Sequence, residues 1–124
     1  MILRHIALCC STEENSDKFY KDLLGLSKMA PKILSLSLSQ AIFNIHTELK
    51  VINYQNDTLG FEIFIHSTYH GHETCVDHTC IEVPNREAFL DKCRKMNVMI
   101  RQVPKGDKIV TFISDFDGNL FEVF

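Results

Sequence analysis

The sequence predicts an α+β fold made of two tandem β-α-β-β-β modules, residues 1–66 and 77–124, within a single domain. Three observations carry that expectation. A strand followed by a helix opens each half, as "RHIALCC" with "STEENSDKFYKDLLGL" and as "DHTCIEV" with "PNREAFLDKCRKMNV". A near-copied strand closes each half, "GFEIFI" in the first and "LFEVF" in the second, each with a glutamate set among apolar residues. No linker or low-complexity stretch separates the halves, so their sheets are expected to pack side by side.

In the first half, Ser11 and Glu14 read as a capping box, and Phe19, Leu23 and Leu26 with Tyr20 and Leu24 have helical spacing. Gly25 ends that helix as a left-handed cap. The strands "ILSLSLS", "AIFNI", "LKVINY" and "GFEIFI" are expected to follow, with weak punctuation at "HTE" and "QNDTLG". In the second half, Asn85 reads as an N-cap, Phe89, Cys93 and Met96 form the apolar stripe, and Asn97 stands where Gly25 stood. Strands "VMIRQV", "KIVTFIS" and "LFEVF" follow, separated by turns at 104–107 and at "DFDGN". His5 to Gly25 spans 20 positions and His78 to Asn97 spans 19, which makes the halves a repeat. Gly25 to Glu62 is 37 positions against 25 from Asn97 to Glu122, so the first half holds roughly one hairpin's worth of extra chain.

Composition sets bounds on function. The chain has 124 residues, 45% hydrophobic and 23% charged, which suits one globular domain with a real core. A net charge of −3 offers no footprint for nucleic acid or an anionic membrane surface. Apolar runs are too short to span a bilayer, and Met1 to His5 has no signal-peptide pattern. Five cysteines without a Cys-x-x-Cys pair, three of them (Cys9, Cys10, Cys80) in strand-like runs, read as reduced core residues of a cytoplasmic protein.

Four polar residues occupy matched places. His5 and His78 lie in the opening strands, and Glu62 and Glu122 in the closing ones. Singly, each has an ordinary explanation as a satisfied histidine or a solvent-facing acid. Together, two imidazoles and two carboxylates suit a divalent first-row metal such as Ni, Co, Zn, Mn or Fe, with room left for water or substrate. The ion would also supply the positive partner that Glu122 needs inside an apolar strand. The extra segment leaves the fourth position open. If "LKVINY" closes the first module, Asn53 replaces Glu62.

These residues resemble the vicinal oxygen chelate superfamily, which includes glyoxalase I, methylmalonyl-CoA epimerase, fosfomycin-resistance proteins and extradiol dioxygenases. "HIALCCSTEENSDKFYKDLLGL" is similar to the first half of that family, and "DHTCIEV…FISDFDGNLFEVF" to the second, so the likeness covers essentially the whole chain. The family's closing turn usually reads Asp-Pro-Asp-Gly; here Phe116 takes the proline position. The resemblance implies an open, cup-shaped mixed sheet with helices outside, around a divalent metal held by His5, Glu62, His78 and Glu122. The two-histidine, two-glutamate set is similar to glyoxalase I. The resemblance further implies proton transfer on a metal-chelated small substrate, with Glu122 or Glu62 as the base, and a homodimer. The other activities it leaves open are a thioester epimerase, a dioxygenase or thiol transferase, and a non-catalytic sequestering protein.

Other features rank lower. "HSTYHGHETCVDH" concentrates His66, His70 and His72 ahead of His78, as a second metal site, a substrate-facing loop or a solvated connector. There is no Gly-rich phosphate loop, no Ser/His/Asp arrangement and no nucleotide motif.

Overall fold

The computed structural model describes residues 4–69 and 77–124. By its internal contacts the chain divides into two compact units, Met1–Tyr69 and His70–Phe124.

In the first unit, β1 (Ile6–Cys10) leads into helix α1, one α-helical turn at Glu13–Ser16 that widens into π-type turns over Asp17–Leu23. Its N-cap is Thr12, whose hydroxyl accepts the Asn15 N–H at 3.1 Å, so the cap lies one residue beyond Ser11. Ser11 instead accepts from the Asn15 side-chain amide at 3.3 Å. Glu13 and Glu14 in the first turn suit the positive end of the helix dipole. Gly25 has φ of +72°, the left-handed cap expected of it, and Asn97 matches it in the other unit at +57°. Phe19, Tyr20, Leu23 and Leu26 are buried, with the Tyr20 ring against Tyr54 and Phe61, and such side chains each contribute about 1.5–3 kcal/mol of apolar burial.

Next come β2 (Ser27–Lys28), β3 (Lys32–Leu34), helix α2 (Leu36–Phe43), β4 (Leu49–Gln55) and β5 (Gly60–Ile65). The sheet runs β1-β5-β4-β2, with β3 also paired to β4. The segment read as strands "ILSLSLS" and "AIFNI" is therefore mostly a helix, and the extra chain of the first half is spent on it. The alternation of Leu and Ser imitates a strand, but capping decides the matter. Ser35 accepts the Leu38 N–H at 3.3 Å, and Asn44 closes the helix with φ of 55°. Phe43 then meets Phe64 edge to face at 5.2 Å.

The second unit has β6 (Thr79–Ile81), α3 (Arg86–Lys95), β7 (Met99–Lys105), β8 (Lys108–Ser114) and β9 (Leu120–Val123), in sheet order β6-β9-β8-β7. Asn85 caps α3 as expected, accepting the Ala88 N–H at 3.0 Å. Leu90 and Cys93, three residues apart, are buried, while Lys92, Arg94 and Lys95 favour the negative C-terminal end. The turn into β9 is organised by Asp115, which is 4% exposed and accepts N–H groups of Asp117 and Asn119 at 3.0 and 2.9 Å. It also accepts the Asn119 side-chain amide at 2.6 Å.

Both units are thus open mixed sheets with the same core plan. The last strand runs parallel to the first, β5 beside β1 and β9 beside β6. Among the described residues, no helix is long and apolar enough to cross a membrane.

Candidate metal centre

The parallel pairing settles which strand closes the first unit. β5, not β4, lies beside β1, with Ala7 opposite Glu62, so Glu62 is the counterpart of Glu122, which stands opposite Cys80. His5 lies two residues before Ala7 and His78 two residues before Cys80. Residues two apart along a strand share a face, and laterally paired residues share it too. His5 and His78 each stand one residue before their opening strands and not within them as the sequence suggested, and continued alternation would carry each onto its glutamate's face.

The side chains meet accordingly. His5 Nε2 is 3.3 Å from Glu62 Oε2, and His78 Nε2 is 3.5 Å from Glu122 Oε2. Both glutamates are largely covered, at 27% and 22% side-chain exposure, and both histidines are more open, at 49% and 38%. These separations exceed the ~2.7–2.9 Å of a charge-assisted hydrogen bond. They suit two donors sharing one ion, since ligands at about 2.1 Å in tetrahedral directions stand roughly 3.4 Å apart. Imidazole nitrogen with carboxylate oxygen is a donor set for first-row divalent metals. Among the described residues no group of three or more His, Cys, Asp or Glu gathers to hold a metal.

Asn53 sits directly across from Glu62 on β4, so it shares the Glu62 face, one strand farther from His5. Gly60 lets the chain pass close to the histidine: a Cβ there would lie 3.4 Å from the Arg4 carbonyl and 3.9 Å from His5 Cβ. In the second unit, Phe112 lies opposite Glu122, and its ring meets His78 edge to face at 5.6 Å. The row continues to Arg101, which pairs with Phe112. Cys80 completes the row and is exposed, not a core residue as its strand-like run suggests. Burial first and the Glu122 charge second push its thiol pKa up. Cys10 and Cys93 are buried as free thiols.

Of the histidine-rich stretch, His70 and His72 lie outside the described residues. His66 directly follows β5, with its Nδ1 hydrogen-bonded to the Thr68 hydroxyl at 2.9 Å. Sequence reading passed over Arg101 and Phe112. Strand parity could have put each on a face, but only the register joins them to the Glu122 row.

With this geometry in hand, comparison with solved structures decides the fold. It is the vicinal oxygen chelate fold. The chain superposes on a glyoxalase family protein from Enterococcus faecalis with a TM-score of 0.73 and 17% identity, covering 98% of this chain and 94% of that one. FosX, a fosfomycin resistance protein from Listeria monocytogenes, matches with a TM-score of 0.72 and 14% identity over 99% and 91% of the two chains. A variant of the Listeria protein, crystallised with Mn(II) and 1S,2S-dihydroxypropylphosphonic acid, matches with a TM-score of 0.71 and 16% identity, covering 99% of this chain and 90% of that one. No protein-family model matches the chain. No curated protein matches it either.

Proposed function

We propose that the protein is a divalent-metal-dependent lyase or isomerase of glyoxalase type, acting on a small substrate with two neighbouring oxygens, such as a hemithioacetal. The observation that carries this reading is the repeated register: the same histidine–glutamate pair, 3.3 Å apart in one unit and 3.5 Å in the other. His5, Glu62, His78 and Glu122 are the proposed ligands. The Mn(II) in the Listeria relative supports a divalent ion on this fold.

A bound ion would supply Lewis acidity, lowering the pKa of a C–H beside the chelating oxygens. The rest falls to the chain's own residues. Glu122 or Glu62 takes the proton on a carboxylate oxygen and returns it to the same or the neighbouring carbon. Phe112, across from Glu122, presents an apolar surface beside the carboxylate. His5 and His78 would hold imidazole nitrogens toward the ion.

A homodimer is part of the proposal. β1 and β6 are edge strands of their sheets, and such edges are normally covered. Six exposed large apolar residues cluster between Met29 and Phe43. A second reading, favoured by the FosX matches, is modification or sequestration of a small phosphonate antibiotic.

The test is proton exchange. Metal-loaded protein is incubated in deuterated buffer with methylglyoxal hemithioacetals of several thiols, a methylmalonyl thioester and fosfomycin. Isomerisation or deuterium incorporation in the first two supports the proposal. Binding without any proton movement sinks it in favour of sequestration, and consumption of fosfomycin alone favours the second reading.

A further inference from the structure

We propose that Cys80 is a nucleophile of this site: its thiol adds to a 2-oxoaldehyde, and the hemithioacetal to be isomerised forms on the protein itself. The inference rests on the glyoxalase-type reading above and assigns the thiol to the chain instead of a diffusing co-substrate.

The placement comes from register and from a difference between the two units. Cys80 on β6 stands directly opposite Glu122 on β9, as Ala7 on β1 stands opposite Glu62 on β5. The same small position beside a glutamate thus holds a methyl group in one half and a thiol in the other. Laterally paired residues project from one face, with backbones about 5 Å apart, so the thiol shares the face of the Glu122 carboxylate. His78, two residues before Cys80, brings its Nε2 to 3.5 Å from that carboxylate. A nucleophile and a base therefore face one another across a strand pair, next to an imidazole.

Exposure separates Cys80 from the other thiols. Among the described residues Cys10 and Cys93 are buried, Cys9 is half-buried and Cys80 is exposed. Core packing does not account for a thiol in the open, and alanine serves at the matching place. An open thiol can be reached by both an aldehyde and water, which the first and last steps require. Its raised pKa keeps it protonated, so the addition needs a base to take the proton. A carboxylate on the paired strand is such a base.

The steps balance without an outside oxidant. Cys80 Sγ bonds to the aldehyde carbon as Glu122 takes the thiol proton and passes it to the former aldehyde oxygen. The hemithioacetal then carries a hydroxyl and a ketone on neighbouring carbons. Glu122 moves the C–H proton to the ketone carbon, and the hydroxyl proton passes to the ketone oxygen. One carbon is oxidised to a thioester on Sγ and its neighbour is reduced to an alcohol. Water breaks the S–C bond, which releases a 2-hydroxy acid and restores the thiol.

The experiment loads the full chain with Mn(II) and follows lactate formed from methylglyoxal, with and without added glutathione. Wild type should make lactate without added thiol. Cys80→Ala, checked for fold by circular dichroism and for Mn(II) uptake, should lose about a hundredfold or more of that rate. Glutathione should rescue it, because a free thiol replaces the missing one. Methylglyoxal should also protect Cys80 of wild type from alkylation by iodoacetamide, read by peptide mass. Lactate that forms only when glutathione is present, thiol-free turnover that survives in Cys80→Ala, or an unprotected Cys80 overturns this proposal alone. No lactate with or without glutathione overturns the glyoxalase-type reading and this proposal together.

Discussion

Glu62 and Glu122 are register equivalents: each stands opposite the residue two places beyond a histidine, and each accepts that histidine's approach at 3.3 or 3.5 Å. The equivalence means that one local design has been used twice. It also means that the two carboxylates can be separated experimentally, because only Glu122 has Phe112 and Arg101 in its row.

Glu122→Gln is expected to lower turnover by about two or more orders of magnitude while reducing metal retention far less. Glutamine keeps an oxygen donor but loses the negative charge and the basic site. Rates and metal content are measured on the same preparation. Full activity in the variant would move the base to Glu62.

Glu13 gives the first unit a pH dependence of stability. Hydrogen bonds from Lys28, and then from Lys50, pull its pKa from 4.5 down to about 2. A carboxyl whose folded pKa is depressed stabilises the fold above its unfolded pKa and loses that contribution as pH falls. Stability should therefore decline between about pH 4.5 and pH 2, and Glu13→Gln should flatten that part of the profile. The partial exposure of Glu13 keeps the effect near 1 kcal/mol. Chemical denaturation of both proteins across that range measures it.

Asp115→Ala should destabilise the second unit by about 1–3 kcal/mol, because the Asp117 and Asn119 N–H groups lose their acceptor. Metal affinity should fall with it, since this turn sets the register of β9 and so the place of Glu122. Urea unfolding and metal titration report the two effects, and an unchanged metal affinity would show that β9 holds its register without the turn.

Light scattering at micromolar concentration is expected to give the mass of two chains, against 14.3 kDa for one. A monomer would refute the dimer.

How much of this was legible in the sequence differs between the halves. The second half was read nearly element for element, because Asn85, Asn97 and Gly106 punctuate it with side chains and backbone conformations that admit one interpretation. The first half failed where Leu and Ser alternate over 33–39. Period-2 patterning competed there with a serine cap and an asparagine stop, and the caps prevailed. The histidine–glutamate pairs were visible because the repeat set each glutamate in a closing strand and each histidine at the start of the matching half, although both histidines stand one residue before their strands. Arg101 was not visible, since its relation to Glu122 runs through two lateral pairings and has no trace in sequence separation. Cys80 was misplaced for a similar reason: an apolar run does not say which of its faces is covered.

The central proposal is that His5, Glu62, His78 and Glu122 are ligands of a divalent metal. Its most direct test is metal stoichiometry by elemental analysis after loading with Ni, Co, Zn, Mn or Fe and exhaustive desalting. Wild type should retain one ion per chain, and the His5→Ala, His78→Ala double variant, still folded by circular dichroism, should retain almost none. A double variant that keeps the full stoichiometry, or a wild type that keeps no ion of any of the five, would contradict the account.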